Sequence, residues 1–210
     1  MPILLMHLER WLDRGSRAVV IVAHPDDETI WMGGTMLTHP SCKWTIFSLC
    51  RGDDADRAPR FLRACARLGG RGIITNFEDE GIASLKESVA PMQRLLLRSL
   101  PRRSFDILFT HGPSGEYGHT RHKGAFRAVQ GLLREGKLRT KRWLTFSYRL
   151  AARGNRAVPH PPARDGVTMR LSPSAFQQKR AIIREVYNFP EQSFEVQSAA
   201  RVETFRQRRP

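Results

Sequence analysis

Residues 18–28 read Ala18-Val19-Val20-Ile21-Val22-Ala23-His24-Pro25-Asp26-Asp27-Glu28, and this stretch decides the fold. The apolar run has strand length and no polar face, as in a strand buried on both sides of a parallel sheet. At its end the chain turns at Pro25 and sets an imidazole beside two carboxylates in a loop. Crowding two acids against a histidine costs free energy unless a cation binds among them. A divalent metal held by His24 and one aspartate needs a third ligand from elsewhere. Gly118-His119-Thr120-Arg121-His122 offers it, because it follows a second apolar run, Ile107-Leu108-Phe109, in the same strand-then-loop manner.

Working outward, strand-length runs alternate with segments of helical periodicity. Strands are expected over Ala18–Ala23, Trp44–Leu49, Gly72–Thr75, Ile107–Thr110, Leu144–Tyr148 and Val167–Leu171. Helices are expected over Glu28–Leu37, Asp56–Leu68, Ser88–Leu100 and Lys123–Glu135, with a last one beginning near Ser174. The alternation predicts an α/β fold with a mostly parallel sheet covered on both faces, in which ligands sit at the carboxyl ends of the strands. Both histidine motifs fall there. Arg149–Asp165, with Gly154 and the Pro159-His160-Pro161-Pro162 cluster, reads as a loop. One domain is expected over 1–199, followed by a basic, poorly tethered tail over 200–210.

Composition narrows the class. The 210 residues are 40% hydrophobic, with no apolar run long enough for a membrane span. Met1–Arg14 reads as an amphipathic helix packed on the domain rather than a signal peptide or a membrane-surface anchor. Cys42, Cys50 and Cys65 are odd in number and lack metal-ligand spacing, so a reducing cytoplasm is expected. The net charge of +15 invites a nucleic-acid reading. It is set aside as a main function. Nearly all of the excess is arginine, which the codon composition of a source genome can produce, and it is scattered through the helices. An anionic, phosphate-bearing substrate fits the charge better.

The chemistry of the two motifs follows from their residue types. A catalytic zinc site wants three protein ligands and one open position. His24, Asp27 and His122 make such a set, with Asp26 left to take a proton from water. His119, kept cationic by nearby carboxylates, would donate to the leaving amine, and Tyr117 would hydrogen-bond the developing oxyanion. Singly, each motif also reads as structure, the first as a turn with a helix-capping Asp and Glu28 in the first turn, the second as a surface pair. Two histidines and a carboxylate also bind non-haem iron in oxygenases, but on antiparallel barrels that this alternation does not match.

Ala23-His24-Pro25-Asp26-Asp27-Glu28 together with Tyr117-Gly118-His119-Thr120-Arg121-His122 resembles the zinc-dependent N-acetylglucosaminyl deacetylases of the PIG-L (LmbE-like) family. A weaker C-terminal likeness involves Ser172, Lys179, Ala181 and Gln192. The resemblance implies a Rossmann-like three-layer fold and hydrolysis of an N-acyl amino sugar, a glycoconjugate or a related amide. It implies zinc, while the residues themselves leave iron(II) open as the alternative. It also implies His24, Asp27 and His122 as ligands, Asp26 as base, His119 as acid and Tyr117 as oxyanion partner.

The chain departs from the family at Arg121, where many members have an aspartate thought to tune the neighbouring histidine, so another acid such as Glu116 could take that task. It departs again at Arg57-Ala58-Pro59-Arg60, where Arg60 replaces an acid; that segment is expected to face substrate. Arg57, Asp53 and Asp79 are the candidate substrate contacts, with Asp54 beside them. A turn or helix cap explains each aspartate equally well. The expected partner is therefore a small N-acyl sugar or glycoconjugate, with the arginines favouring an anionic one, and a catalytically silent binding protein with an anionic partner is the rival from another class.

Overall fold

Val19 to Val22 are fully buried because strands flank them on both sides and helices cover both faces. In this computed structural model the described residues are 8, 11–160 and 166–209. Strand β1 (Arg17–Val22) pairs in parallel with β2 (Lys43–Cys50) and with β4 (Ser104–Thr110). Outside them lie β3 (Gly70–Phe77) on one side and β5 (Arg139–Phe146) on the other, also parallel. Alternation along β1 feeds two cores. Ala18, Val20 and Val22 face the core shared with Ile30, Phe61 and Ile182, whereas Val19 and Ile21 face that of Met92, Leu96 and Val129.

The helices lie where the periodicity places them: α1 (Asp27–Thr38), α2 (Arg57–Arg67), α3 (Leu85–Ser99) and α4 (Thr120–Arg134). A capping box between Ser84 and Glu87 starts α3 ahead of the expected Ser88. Helix α4 starts at Thr120 rather than Lys123, with His119 as N-cap, which puts His122 in its first turn. Beyond β5 come a small antiparallel hairpin, β6 (Tyr148–Leu150) with β7 (Ala157–Pro159), then β8 (Gly166–Arg170) and α5 (Pro173–Ala181). The predicted strand Leu144–Tyr148 therefore divides between β5 and β6, and part of the expected Arg149–Asp165 loop is hairpin. Ser172 caps α5, its Oγ accepting the Ala175 N–H. A π-helical turn (Ile182–Val186) and α6 (Phe194–Ser198) follow. Most of the helix expected over Met1–Arg14 lies outside the described residues; Leu8 and Leu12 are buried in the first core. Among the described residues no helix is long and apolar enough to cross a membrane.

The expected loose tail is a correction. Residues Val202–Arg208 form β9, inserted antiparallel between β5 and β8, so the sheet order is β3-β2-β1-β4-β5-β9-β8. Glu203 is fully buried and reaches α1. Helix α1 breaks at Met32 (φ −150°, ψ 16°), which frees amide groups in the next turn. The Glu203 carboxylate accepts the Gly34 and Thr35 N–H groups at 2.8 and 2.7 Å and the Thr35 hydroxyl at 2.6 Å. Its charge is balanced by Lys179 Nζ on α5 at 2.8 Å, with both side chains fully buried. A segment that looks basic and polar in sequence is thus held by strand pairing on both sides and by one internal ion pair.

Candidate active site

The loops after β1 and β4 meet at the carboxyl ends of adjacent strands, where the strand order reverses. After β1, Asp26 takes φ 120°, a conformation that costs a non-glycine residue about 1–3 kcal/mol. Glu28 holds it there. Its buried carboxylate accepts the Asp26 N–H at 3.0 Å, the Thr29 hydroxyl at 2.5 Å and the Tyr187 hydroxyl at 2.6 Å. Burial pushes the Glu28 carboxyl up to about 7. Glu28 does lie in the first turn of α1, as the sequence allowed, and there it is a buried anchor of the preceding turn.

Three atoms converge beneath this turn. His24 Nδ1 lies 3.2 Å from His122 Nε2, and Asp27 Oδ2 lies 3.3 Å from each. The far side of each group is fixed. His24 Nε2 faces Asp79 Oδ1 at 3.0 Å, His122 Nδ1 faces Glu116 Oε2 at 2.7 Å, and Asp27 Oδ1 accepts the Trp31 indole N–H at 2.8 Å. Carboxylates on the outer nitrogens draw the ring protons outward, which leaves a lone pair on each inner nitrogen. Two lone pairs and a carboxylate oxygen at these separations need a cation among them. Tetrahedral zinc, with ligand bonds of about 2.0–2.1 Å, spaces its ligands by about 3.3 Å. The donor set fits such an ion.

The electrostatics show the same demand for positive charge, which either a proton on His24 or a metal ion can meet. Burial opposes charge on His24, but hydrogen bonds to Asp27 and Asp79 outweigh it and raise its pKa to about 9. Burial would raise Asp27; the His122 and His111 rings instead hold it well below the carboxylate range. Glu116 and Asp79 are drawn down to about 2 against the effect of burial, by His111 and by His24 with Arg51 respectively.

His111 was missed in the sequence. It ends β4 as His24 ends β1, and the rule that a polar residue closing a buried strand marks the site would have found it. Its Nδ1 bonds Glu116 Oε2 at 2.7 Å, its Nε2 accepts the Ala23 N–H at 2.9 Å, and its ring stacks on His122 at 3.9 Å. The bond from Ala23 requires a neutral ring, whereas Glu116 and Asp27, against the effect of burial, raise its pKa to about 9. The Ala23 N–H holds Nε2 as an acceptor, and a cation on Asp27 would remove the pull toward protonation. His111 ties the β1 loop to β4.

Above the triangle opens a cleft of about 440 Å³ lined by residues including Asp26, Arg57, Asp79, Tyr117 and His119. Asp26 is raised well above the carboxylate range by burial and by Asp27, although Arg57 Nη1 lies 3.0 Å from its Oδ2. Arg57 also covers the Phe189 ring at 4.7 Å. Tyr117 packs against Phe194 and His122. The expectation that carboxylates keep His119 cationic needs correction. Burial and the neighbouring His122 and His24 push its pKa down to about 4, and its Nδ1 accepts the Arg121 N–H at 3.3 Å.

Other expectations change too. Asp53 is exposed and does not line the cleft; Asp54 does, and its Oδ1 caps α2 through the Asp56 and Arg57 N–H groups. Arg60 turns from the cleft to Asp56 and the Val186 carbonyl. Arg121 points away from His119, to Glu78, Ser88 Oγ and the Ala83 carbonyl. Glu116 serves His111 and His122, so it does not replace the absent aspartate beside His119.

Residues 19–133 match the family model described as PIG-L, GlcNAc-PI de-N-acetylase. The chain is 27% identical over 134 residues to N-acetylglucosaminyl-phosphatidylinositol de-N-acetylase of Bos taurus, covering 59% of this chain and 53% of that one. It is 25% identical over 147 residues to 1D-myo-inositol 2-acetamido-2-deoxy-alpha-D-glucopyranoside deacetylase of Corynebacterium diphtheriae, covering 51% and 49%. The chain spans about half the length of these curated relatives. Among solved structures, N,N'-diacetylchitobiose deacetylase from Pyrococcus horikoshii superposes with a TM-score of 0.65 at 16% identity, covering 99% of this chain and 89% of that one. That likeness is one of fold.

Proposed function

Because the chain belongs to the GlcNAc-PI de-N-acetylase (PIG-L) family, we propose that it is a metal-dependent hydrolase removing an N-acyl group, acetyl first of all, from an amino sugar or glycoconjugate. The observation that carries this reading is the triangle of His24 Nδ1, His122 Nε2 and Asp27 Oδ2, with a carboxylate against the outer nitrogen of each ring and the Trp31 N–H on the outer oxygen of Asp27. These three residues would hold zinc, or iron(II) in its place. The bound ion would supply Lewis-acid polarisation of the amide carbonyl and acidification of water.

The protein's own groups do the rest. Asp26, with its raised pKa and its place on the cleft, accepts the proton of the attacking water. Having taken it, the same carboxyl can return it to the departing nitrogen. Tyr117 donates its hydroxyl to the developing oxyanion. His119 is neutral, and with Nδ1 occupied by the Arg121 N–H it presents Nε2–H, acting as a hydrogen-bond donor rather than an imidazolium acid. Arg57 orients Asp26 and adds positive charge that suits an anionic substrate, while Asp79 acts on His24. The three buried free cysteines fit a reducing cytoplasm.

The test is amine release from a panel of N-acetyl amino sugars, with chelator and with added zinc. Chelator-sensitive, zinc-restored release is expected, and Asp26→Asn should abolish it at unchanged zinc content. Absence of release from a protein shown to hold zinc would overturn the deacetylase reading.

A further inference from the structure

A second cavity, of about 610 Å³, lies away from the cleft, between α4 and β9. On this face α4 reaches the sheet through Phe126, which stacks on Trp143 of β5 at 5.5 Å. The next strand, β9, turns Glu203 and Phe205 to the opposite side, so alternation brings Arg206 and Arg208 to this one. The cavity is lined by Phe126, Gln130, Trp143, Arg206, Arg208 and Arg209, with Gln207 beside them, and no carboxylate is in that lining. Arg208 is engaged already, its Nε bonding Thr145 Oγ1 at 3.2 Å.

Two donors are left over. Trp143 is 1% exposed, and its indole Nε1–H has no hydrogen-bond partner among the described residues; neither has the buried Arg206 Nε–H. A buried donor without an acceptor is a standing cost, and in native proteins it is uncommon. Here the two side chains that carry these donors line one cavity, together with further guanidinium groups and a glutamine amide. The missing element is an acceptor with several oxygens and negative charge. The planar fork of arginine matches the oxygens of a phosphate, and an indole N–H adds a neutral donor.

The geometry points to a second binding site here for a phosphate-type oxyanion, independent of the hydrolase reading and of the metal. The volume exceeds that of the free ion, which suits phosphate carried on a small organic molecule lying against the Phe126–Trp143 stack. Binding draws the arginine side chains round the anion and satisfies both orphan donors.

Inorganic phosphate and glycerol 3-phosphate are the probes, titrated into the 210-residue protein, with and without zinc, at constant ionic strength while the indole N–H resonances are followed by NMR. Trp143→Phe assigns its signal among those of Trp11, Trp31 and Trp44. The expected result is a saturable downfield movement of the Trp143 signal, tighter for the ester, and a weakening of about tenfold or more in Arg206→Gln, the usual worth of a hydrogen bond to a charged group. Arg209→Ala should weaken binding without touching the buried pair, and it serves if Arg206→Gln fails to fold. Movement confined to Trp31, whose ring lines the catalytic cleft, would place phosphate at the metal and overturn the proposal. So would a Trp143 signal that never moves, or affinity unchanged in both variants.

Discussion

Asp79 Oδ1 stands 3.0 Å from His24 Nε2, on the side of the ring away from Asp27, and Asp79 Oδ2 is held in turn by Arg51 at 2.9 Å. A carboxylate in this position fixes which nitrogen of a ligating histidine carries the proton and raises its basicity. Loss of such a partner commonly costs 10- to 100-fold in metal affinity, on the order of what is expected for Asp79→Ala. Competition with a chromophoric chelator measures it. Unchanged zinc affinity would return Asp79 to the role of a substrate contact.

Arg121 holds the segment that presents Asp79. Its guanidinium is buried against the Phe77 ring and bonds Glu78, Ser88 Oγ and the Ala83 carbonyl. The Glu78 carboxylate also accepts the N–H groups of Glu80, Ile82 and Ala83, so this one ion pair shapes the whole turn. Removing one partner of a buried pair costs about 3–5 kcal/mol, and the partial exposure of Glu78 reduces the expectation for Arg121→Ala to about 2 kcal/mol. Arg121→Lys should recover little of it, since a single ammonium cannot reach three acceptors in different directions. Denaturant melts of the two variants decide between this account and a purely local role.

What the sequence made legible was local. His24 and Asp27 are three residues apart, as are His119 and His122, and each pair follows an apolar run whose burial can be read without knowing its neighbours. The parallel core strands and four of the helices follow from the same periodicities. What escaped is made of distant pairs: Tyr187 on Glu28, Asp79 on His24, Glu203 on the broken turn of α1. No local pattern announces that Glu203 is buried, because the groups that justify its burial lie in α1 and α5. Its strand therefore reads, from sequence alone, as a poorly tethered tail. Asp53 and Asp54 show the reverse difficulty, since two adjacent aspartates look equivalent until the start of α2 selects Asp54 to accept its leading N–H groups.

The Lys179–Glu203 pair gives that correction a test. Burial alone lowers the Lys179 pKa, and Glu203 works against that effect. Lys179→Met leaves the Glu203 charge buried with only neutral donors, and a loss of about 3–5 kcal/mol is expected in a urea melt. Deleting residues 200–210 removes β9 from the middle of its three-strand edge and should prevent cooperative unfolding altogether. A truncated protein that melts like the full chain would restore the tail reading.

Tyr117 faces the cleft between Phe194 and His122, and burial raises its hydroxyl above the ordinary range, so it remains a protonated donor at any working pH. Tyr117→Phe should lower kcat by about 10²-fold or more, the usual effect of removing an oxyanion donor, while zinc content is unchanged. An unaltered rate would remove Tyr117 from the chemistry.

The role of His119 can be settled by pH. Its pKa is pushed down to about 4 by burial and by its histidine neighbours, against about 6.5 for a free imidazole. A cation on His24 and His122 adds charge of the same sign and lowers it further. The ring is therefore neutral throughout the physiological range, and loses its proton well below the pH at which amide hydrolysis is assayed. If an imidazolium were the acid, kcat/KM would fall as pH rises through the His119 pKa, and activity at neutral pH would be residual. As a neutral donor, His119 is in its working form above about pH 5, so no descending limb belongs to it. His119→Ala should then lower kcat by about 10²–10³-fold, as for other oxyanion donors, by the same factor at every pH from about 6 to 9. A wild-type descending limb near neutrality that disappears in His119→Ala would instead establish the imidazolium as the proton donor, with bound substrate raising its pKa.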